Sequence, residues 1–188
     1  MKKCLYNYQC CIVLCACLFI STMATAAGTD RHWAEPALGV QAEVLGVYFT
    51  PPAGAATAIV QALDASEHEV LVQAYGFTHN AIAQALVRAH QRGVVVRVLL
   101  DAKSSSSNRY VMDVLTQANV PLRLDGKHAI AHNKVMVIDE SVVITGSFNF
   151  TNSAATRNAE NFLVLKSQEL AHRYKSEWQV HWGHGRED

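Results

Sequence analysis

Short apolar runs along this chain alternate with stretches whose apolar positions recur every three to four residues. Val44 to Phe49 reads as a strand that stops at Pro51-Pro52, and Val70 to Phe77 reads as a second strand. Between them, Ala55 to Ala65 has the composition of a helix. Asn80 to Gln91 places Ile82, Leu86 and Ala89 at helical spacing and ends at Gly93, a residue type that readily caps a helix. Val94 to Leu100 is almost unbroken in apolar and β-branched residues, as expected of a strand covered on both faces. Asp101 to Asn108, with four consecutive serines, is expected to be a loop, followed by a helix over Arg109 to Ala118 and a short strand over Val120 to Leu124.

The C-terminal third is denser in strands, at Lys134 to Ile138, Val142 to Thr145 and Asn161 to Leu165. It closes with a helix from Gln168 to about His181 that carries Leu170, Tyr174 and Trp178 at four-residue spacing. Asp139-Glu140-Ser141 between two strands predicts a hairpin. The whole pattern predicts an α/β fold, a layered α/β/α sandwich with a mixed, largely buried β-sheet. No internal repeat is visible in residues 27–188.

Composition narrows the class. Of 188 residues, 50% are hydrophobic and 17% charged, too apolar for intrinsic disorder. The 16 basic and 16 acidic side chains cancel, so no strongly basic face announces a nucleic acid, and such a partner must be argued from a site. All five cysteines, Cys4, Cys10, Cys11, Cys15 and Cys17, sit at the amino terminus. The same region has Lys2-Lys3, an apolar run from Cys10 to Ile20 and then Ala24-Thr25-Ala26. That order predicts a secretory signal peptide over residues 1–26, cleaved near Ala26, ahead of one domain over 27–188. The run falls short of the roughly 20 residues of a spanning helix, so an uncleaved anchor is the lesser alternative. A cysteine-free mature chain suits an oxidising compartment, and export to the periplasm without stable membrane association is the expectation.

The chemistry concentrates in His132-Asn133-Lys134 and Gly146-Ser147-Phe148-Asn149. Residues two apart on a strand share a face, so His132 and Lys134 point together, and the predicted hairpin returns Ser147 and Asn149 beside them. An imidazole, a fixed positive charge, a hydroxyl and an amide then meet without a carboxylate pair or a metal-ligand set. Such a group suits attack on phosphorus: imidazole can form a covalent phosphohistidine while Lys134 and Asn149 hold the non-bridging oxygens. Gly146 permits close backbone approach. Glu160 is placed to return to the site and hydrogen-bond the far nitrogen of His132, fixing its tautomer.

These residues resemble the phospholipase D superfamily, whose signature H-x-K-x4-D, then G-S-x-N, is matched at His132, Lys134, Asp139, Gly146, Ser147 and Asn149 without a change of spacing. Within it the chain resembles the small exported bacterial Nuc-type endonucleases, whose pattern includes a glutamate corresponding to Glu160. The resemblance implies a phospholipase D-like fold and a metal-independent phosphodiesterase with no cofactor. Most members carry two motif copies that form one active site, whereas this chain has one. A homodimer is therefore implied, in which one His132 attacks and its twin protonates the leaving oxygen. Lys134, Ser147 and Asn149 would bind phosphate, His132, Lys134 and Glu160 would be catalytic, and Asp139 and Gly146 supporting.

Each residue also has a plainer reading. Asp139 can be an ordinary turn residue, Ser147 and Asn149 turn formers, and Glu160 a solvated strand-edge carboxylate. His128 and His132 form an H-x3-H, but in extended chain the two side chains would sit about 13 Å apart, so no shared metal is expected. Lys103, Arg109, Lys127 and Arg157 are candidates to track a phosphate backbone, and Trp33, Trp178 and Trp182 are expected to pack. The expected substrate is nucleic acid, DNA or RNA. The alternatives are hydrolysis of phospholipid, which needs an apolar docking surface not evident in the sequence, and a silent nucleic-acid-binding module.

Overall fold

A computed structural model describes residues 39–51 and 54–187. The expected signal peptide and Trp33 lie outside the described residues. The strands are β1 (Glu43–Thr50), β2 (Glu69–Ala74), β3 (Val95–Asp101), β4 (Leu122–Asp125), β5 (Lys134–Ile138), β6 (Val142–Gly146) and β7 (Glu160–Lys166). The helices are α1 (Ala55–Asp64), α2 (Asn80–Gln91), α3 (Ser105–Gln117), α4 (Asn152–Thr156) and α5 (Gln168–His184). One sheet runs in the order β1-β7-β6-β5-β2-β3-β4. β2, β3 and β4 are parallel and the remaining pairs antiparallel, so the sheet is mixed as expected.

The central strands are apolar at successive positions because both of their faces are covered. Val70, Val72 and Ala74 of β2 and Met136 and Ile138 of β5 face one core, shared with Ile59, Leu63, Ile82, Leu86, Val111 and Leu115 of α1, α2 and α3. Leu71, Val135 and Val137 face the other way, against Ala171 and Trp178 of α5. Leu170, Tyr174 and Trp182 pack around that second core, and the Trp178 indole donates to the carbonyl oxygen of Val72 (2.9 Å). Burying both faces of a sheet this way is the main hydrophobic contribution to the fold.

Two local expectations fail. Residues 101–108 are not a loop: a 3-10 turn over Ala102–Ser104 leads directly into α3. The buried Asp101 carboxylate accepts from the N–H of Ser104 (2.9 Å) and its hydroxyl (3.0 Å), so serines that favour turns in isolation sit at a capped helix start. Inside that helix Asn108, Val111, Met112 and Leu115 form the buried stripe. The second failure is β1, whose Val44, Leu45, Val47 and Phe49 are exposed at the sheet edge, an apolar surface that the sequence did not suggest. Among the described residues, no helix is long and apolar enough to cross a membrane.

Candidate active site

The β5–β6 hairpin forms as expected, with Val135 opposite Thr145 and Ile138 opposite Val142. Its turn closes on a hydrogen bond from Ser141 N–H to Ile138 O (3.1 Å), and Asp139 and Glu140 both take positive φ, the left-handed geometry that matches strand twist. The hairpin therefore delivers Gly146 to Asn149 to the end of the sheet where β5 begins. Ala74 pairs with Lys134, which brings the end of β2 there too, and Thr50 pairs with Glu160, adding the start of β7. This is the carboxyl end of the parallel strands, where α/β sheets commonly place their sites.

His132 is exposed just before β5, its ring centre 4.7 Å from that of Tyr75. Two residues on, Lys134 is buried. Its ammonium donates to the carbonyl oxygen of His132 (2.6 Å) and stands 5.4 Å from the centre of the Tyr75 ring, within cation–π reach. Among the described residues no carboxylate comes within ion-pair distance of it. Burial pushes the Lys134 pKa down, and the field of Glu160 opposes that shift. The result is a partly desolvated cation whose charge is left available for an anion. Asn149 is half-buried, with Oδ1 facing the N–H of Gly76 at 3.4 Å. That orientation leaves its amide nitrogen as a donor.

Two expected roles change, and two supporting roles take definite form. Glu160 does not reach the imidazole of His132 in the single chain. Its Oε2 accepts from the Ser147 hydroxyl (2.7 Å) and its Oε1 from the Asn158 amide (3.1 Å). Ser147, expected to contact phosphate, thus gives its only hydroxyl proton to Glu160 and accepts from the N–H of Asn161 (3.1 Å). Gly146 is required by the fold, because a Cβ there would collide with the carbonyl oxygen of Asn161 and lie 2.6 Å from the Cα of Phe162 on β7. Asp139 also supports structure. Its carboxylate accepts from the N–H groups of Glu67 (3.0 Å), His68 (2.8 Å) and Glu69 (2.9 Å), clasping the turn that enters β2. Burial alone would raise its pKa, but the amides outweigh it and hold the carboxyl below its usual value.

The sequence reading missed the segment that lines the site. Tyr75 N–H donates to Asn133 O (3.0 Å), while the fully buried Asn108 bridges the carbonyl of Tyr75 and the N–H of Phe77, both at 2.8 Å. No periodic pattern flags such a side chain, which links positions more than 30 residues apart. The expected basic flank is only loosely drawn: Lys103 is exposed, and Arg157 donates to the Ser153 hydroxyl (2.6 Å). His128 does not pair with His132. It lies with Asp125, His181 and His184 on the α5 side of the sheet, a grouping that neither half of the sequence announces alone.

Residues 59–182 match the family model described as cardiolipin synthase, PLD-like domain. The chain is 41% identical over 148 residues to a protein of Rickettsia typhi named phospholipase D, covering 79% of this chain and 72% of that one. A second, from Rickettsia prowazekii and named alike, is 45% identical over 130 residues, 69% of this chain and 63% of its own length. The solved structure of a phospholipase D family member, Nuc from Salmonella typhimurium, superposes with a TM-score of 0.74 at 34% identity, over 78% of this chain and 97% of that one. The motif, the mixed sheet and these matches agree: the chain belongs to the phospholipase D superfamily. It is a phosphodiesterase of that superfamily, with a Nuc-type fold.

Proposed function

We propose that this protein is a sequence-nonspecific endonuclease that cleaves nucleic-acid phosphodiesters through a covalent phosphohistidine at a homodimer interface. The observation that carries the reading is an exposed imidazole, His132, set beside a buried ammonium, Lys134, that forms no ion pair with a carboxylate among the described residues. A module that only binds has no use for a nucleophile. His132 attacks phosphorus, and a P–N bond forms as the P–O bond to the leaving oxygen breaks. That oxygen takes its proton from His132 of the partner subunit. Water then attacks the phosphohistidine, gives a proton to the same imidazole and releases the phosphate monoester. Lys134 and the amide nitrogen of Asn149 hold the non-bridging oxygens as charge grows. The motif occurs once in the chain, so the second imidazole comes from a second copy.

Phospholipid is the second reading, favoured by the exposed apolar row on β1 and by the names of the rickettsial relatives. One incubation separates the readings. The full chain is mixed with plasmid DNA, single-stranded DNA, RNA or phosphatidylcholine vesicles, with chelator added together with substrate. Nicked or degraded nucleic acid without lipid turnover is the expected result. Headgroup release alone would transfer the site to lipid, and a gel shift without cleavage would make it a binding module. Sedimentation at working dilution checks the dimer: a strictly monomeric and fully active species overturns the shared site. Because one imidazole must be neutral and its twin protonated, kcat/KM should fall at both ends of the pH range, and a flat profile over about pH 5 to 9 with chemistry rate-limiting would contradict that division of labour.

A further inference from the structure

Away from the proposed reaction centre, on the α5 face of the sheet, three imidazoles converge on one carboxylate. Asp125 ends β4, its side chain fully buried. His128 follows three residues later in the loop that leads to His132, and His181 and His184 sit one turn apart in the last turns of α5. His128 Nδ1 is 3.0 Å and His181 Nδ1 2.9 Å from Asp125 Oδ2, and His184 Nε2 is 3.3 Å from Oδ1. One donor atom from each of the four residues lies within 4.8 Å of the others.

Hydrogen bonding among these groups does not close. His184 Nε2 is buried and lacks a hydrogen-bond partner despite its distance from Asp125. The other nitrogen of His181, Nε2, faces Glu177 Oε1 at 3.2 Å, and Gln73 Nε2, a donor, points at His181 Nδ1 from 3.0 Å. His181 Nδ1 cannot accept from the Gln73 amide (3.0 Å) and donate to Asp125 Oδ2 (2.9 Å) at once, so one of the two contacts is unmet in either tautomer. A cation shared by the Nδ1 lone pair and the Asp125 oxygen removes the conflict between those two atoms. Glu177 has the position of an outer carboxylate that orients a metal-bound histidine.

We infer that Asp125, His128, His181 and His184 form a closed site for one divalent transition-metal ion, zinc by its ligand chemistry, which ties the loop carrying His128 to the end of α5. Three imidazole nitrogens and one carboxylate oxygen are a borderline set that suits zinc better than magnesium or calcium. Ligands about 2.0–2.1 Å from a tetrahedral zinc stand roughly 3.3 Å apart, close to the contacts that Asp125 already makes. All four protein ligands are supplied, so the site is structural and leaves no open position for substrate. It anchors the segment between His128 and His132, which is also held by the Ala131 N–H on Asp101 (2.8 Å) and the Lys134 ammonium on the His132 carbonyl (2.6 Å).

The test uses the full chain without affinity histidines, its five cysteines alkylated so that they offer no competing thiolates, stripped with chelator and dialysed against zinc alone. The expected result is one zinc per chain and a melting midpoint raised by about 5 °C or more at zinc a hundredfold above Kd. Cobalt in its place should show the intense visible bands of tetrahedral coordination. His128→Ala, in a half-exposed loop position, and His184→Ala, at the helix end, should each weaken zinc at least about 100-fold while the metal-free midpoint stays within a few degrees of the parent. Failure to take up stoichiometric zinc, or uptake unchanged in both variants, overturns the site. Neither readout depends on which phosphodiester the enzyme cleaves.

Discussion

At the start of β5 the ammonium of Lys134 is buried with a backbone carbonyl as its hydrogen-bond partner, whereas just past its end the carboxylate of Asp139 accepts from three backbone amides. Both residues belong to the one motif by which the family is recognised, five positions apart. Their electrostatic economies are opposite. Lys134 is held where burial penalises its charge, so a phosphate oxygen arriving there gains an interaction that water no longer weakens. Asp139 spends its carboxylate on the chain itself, accepting from three successive backbone N–H groups. The comparison separates residues kept for chemistry from residues kept to hold chemistry in place, which spacing alone does not.

The sharpest way to break it is at His132. His132→Ala is expected to lower kcat by at least ~10⁴, because attack and leaving-group protonation vanish together in a symmetric dimer. Since the imidazole is exposed, the melting midpoint should not move. Activity above a tenth of the parent would remove His132 from the reaction. Next comes Lys134→Met, which keeps the buried length and deletes the charge. Rate should fall by about 10²–10³, the usual cost of one preorganised donor, while stability is unchanged or improved because a desolvated cation is gone. Loss of stability with intact kcat would make Lys134 a structural residue and dissolve the contrast with Asp139.

Glu160 lies between these extremes. It no longer answers to the imidazole but fixes Ser147 and Asn158 and adds a negative field near Lys134. Glu160→Gln keeps one acceptor and deletes the field, so kcat should drop about 10-fold, with little change in KM. A loss as large as that of His132→Ala would instead indicate direct contact with the imidazole once the dimer forms.

Much of the architecture was legible. Alternation and helical spacing located the central strands, α2 and α5, because buried two-faced strands and an amphipathic stripe leave local signatures. The motif likewise placed His132, Lys134, Ser147 and Asn149 at one end of the sheet. What stayed hidden depends on distant partners. Ser104 to Ser107 looked like a loop until Asp101 supplied a cap and α3 a buried face. Asn108 is polar, fully buried and justified only by Tyr75 and Phe77 across the fold. The histidine cluster joins two halves more than 50 residues apart, and the local spacing of His128 and His132 carries no trace of it.

Asp139→Asn should have the smallest effect on turnover and a visible one on folding, and its pH dependence tests why. An asparagine retains one acceptor oxygen and presents an amide N–H₂ to at least one of the three backbone N–H groups. The clasp on Glu67 to Glu69 should therefore weaken by about 1–3 kcal/mol at neutral pH, measured by urea denaturation, with kcat within about threefold of the parent below the melting transition. The folded carboxyl titrates below its ordinary value, so the unfolded chain takes up its proton first as the solution is acidified. The stabilisation is thus complete above the ordinary aspartate value, about 3.9, and disappears as pH falls through the lower folded value. The stability difference between parent and Asp139→Asn should accordingly be constant from neutral pH down to about 5 and shrink below about 4. If the difference persists undiminished in acid, the carboxylate charge is not what holds the turn. If instead kcat collapses while stability stands, Asp139 belongs with Lys134, and the two ends of β5 serve the same purpose.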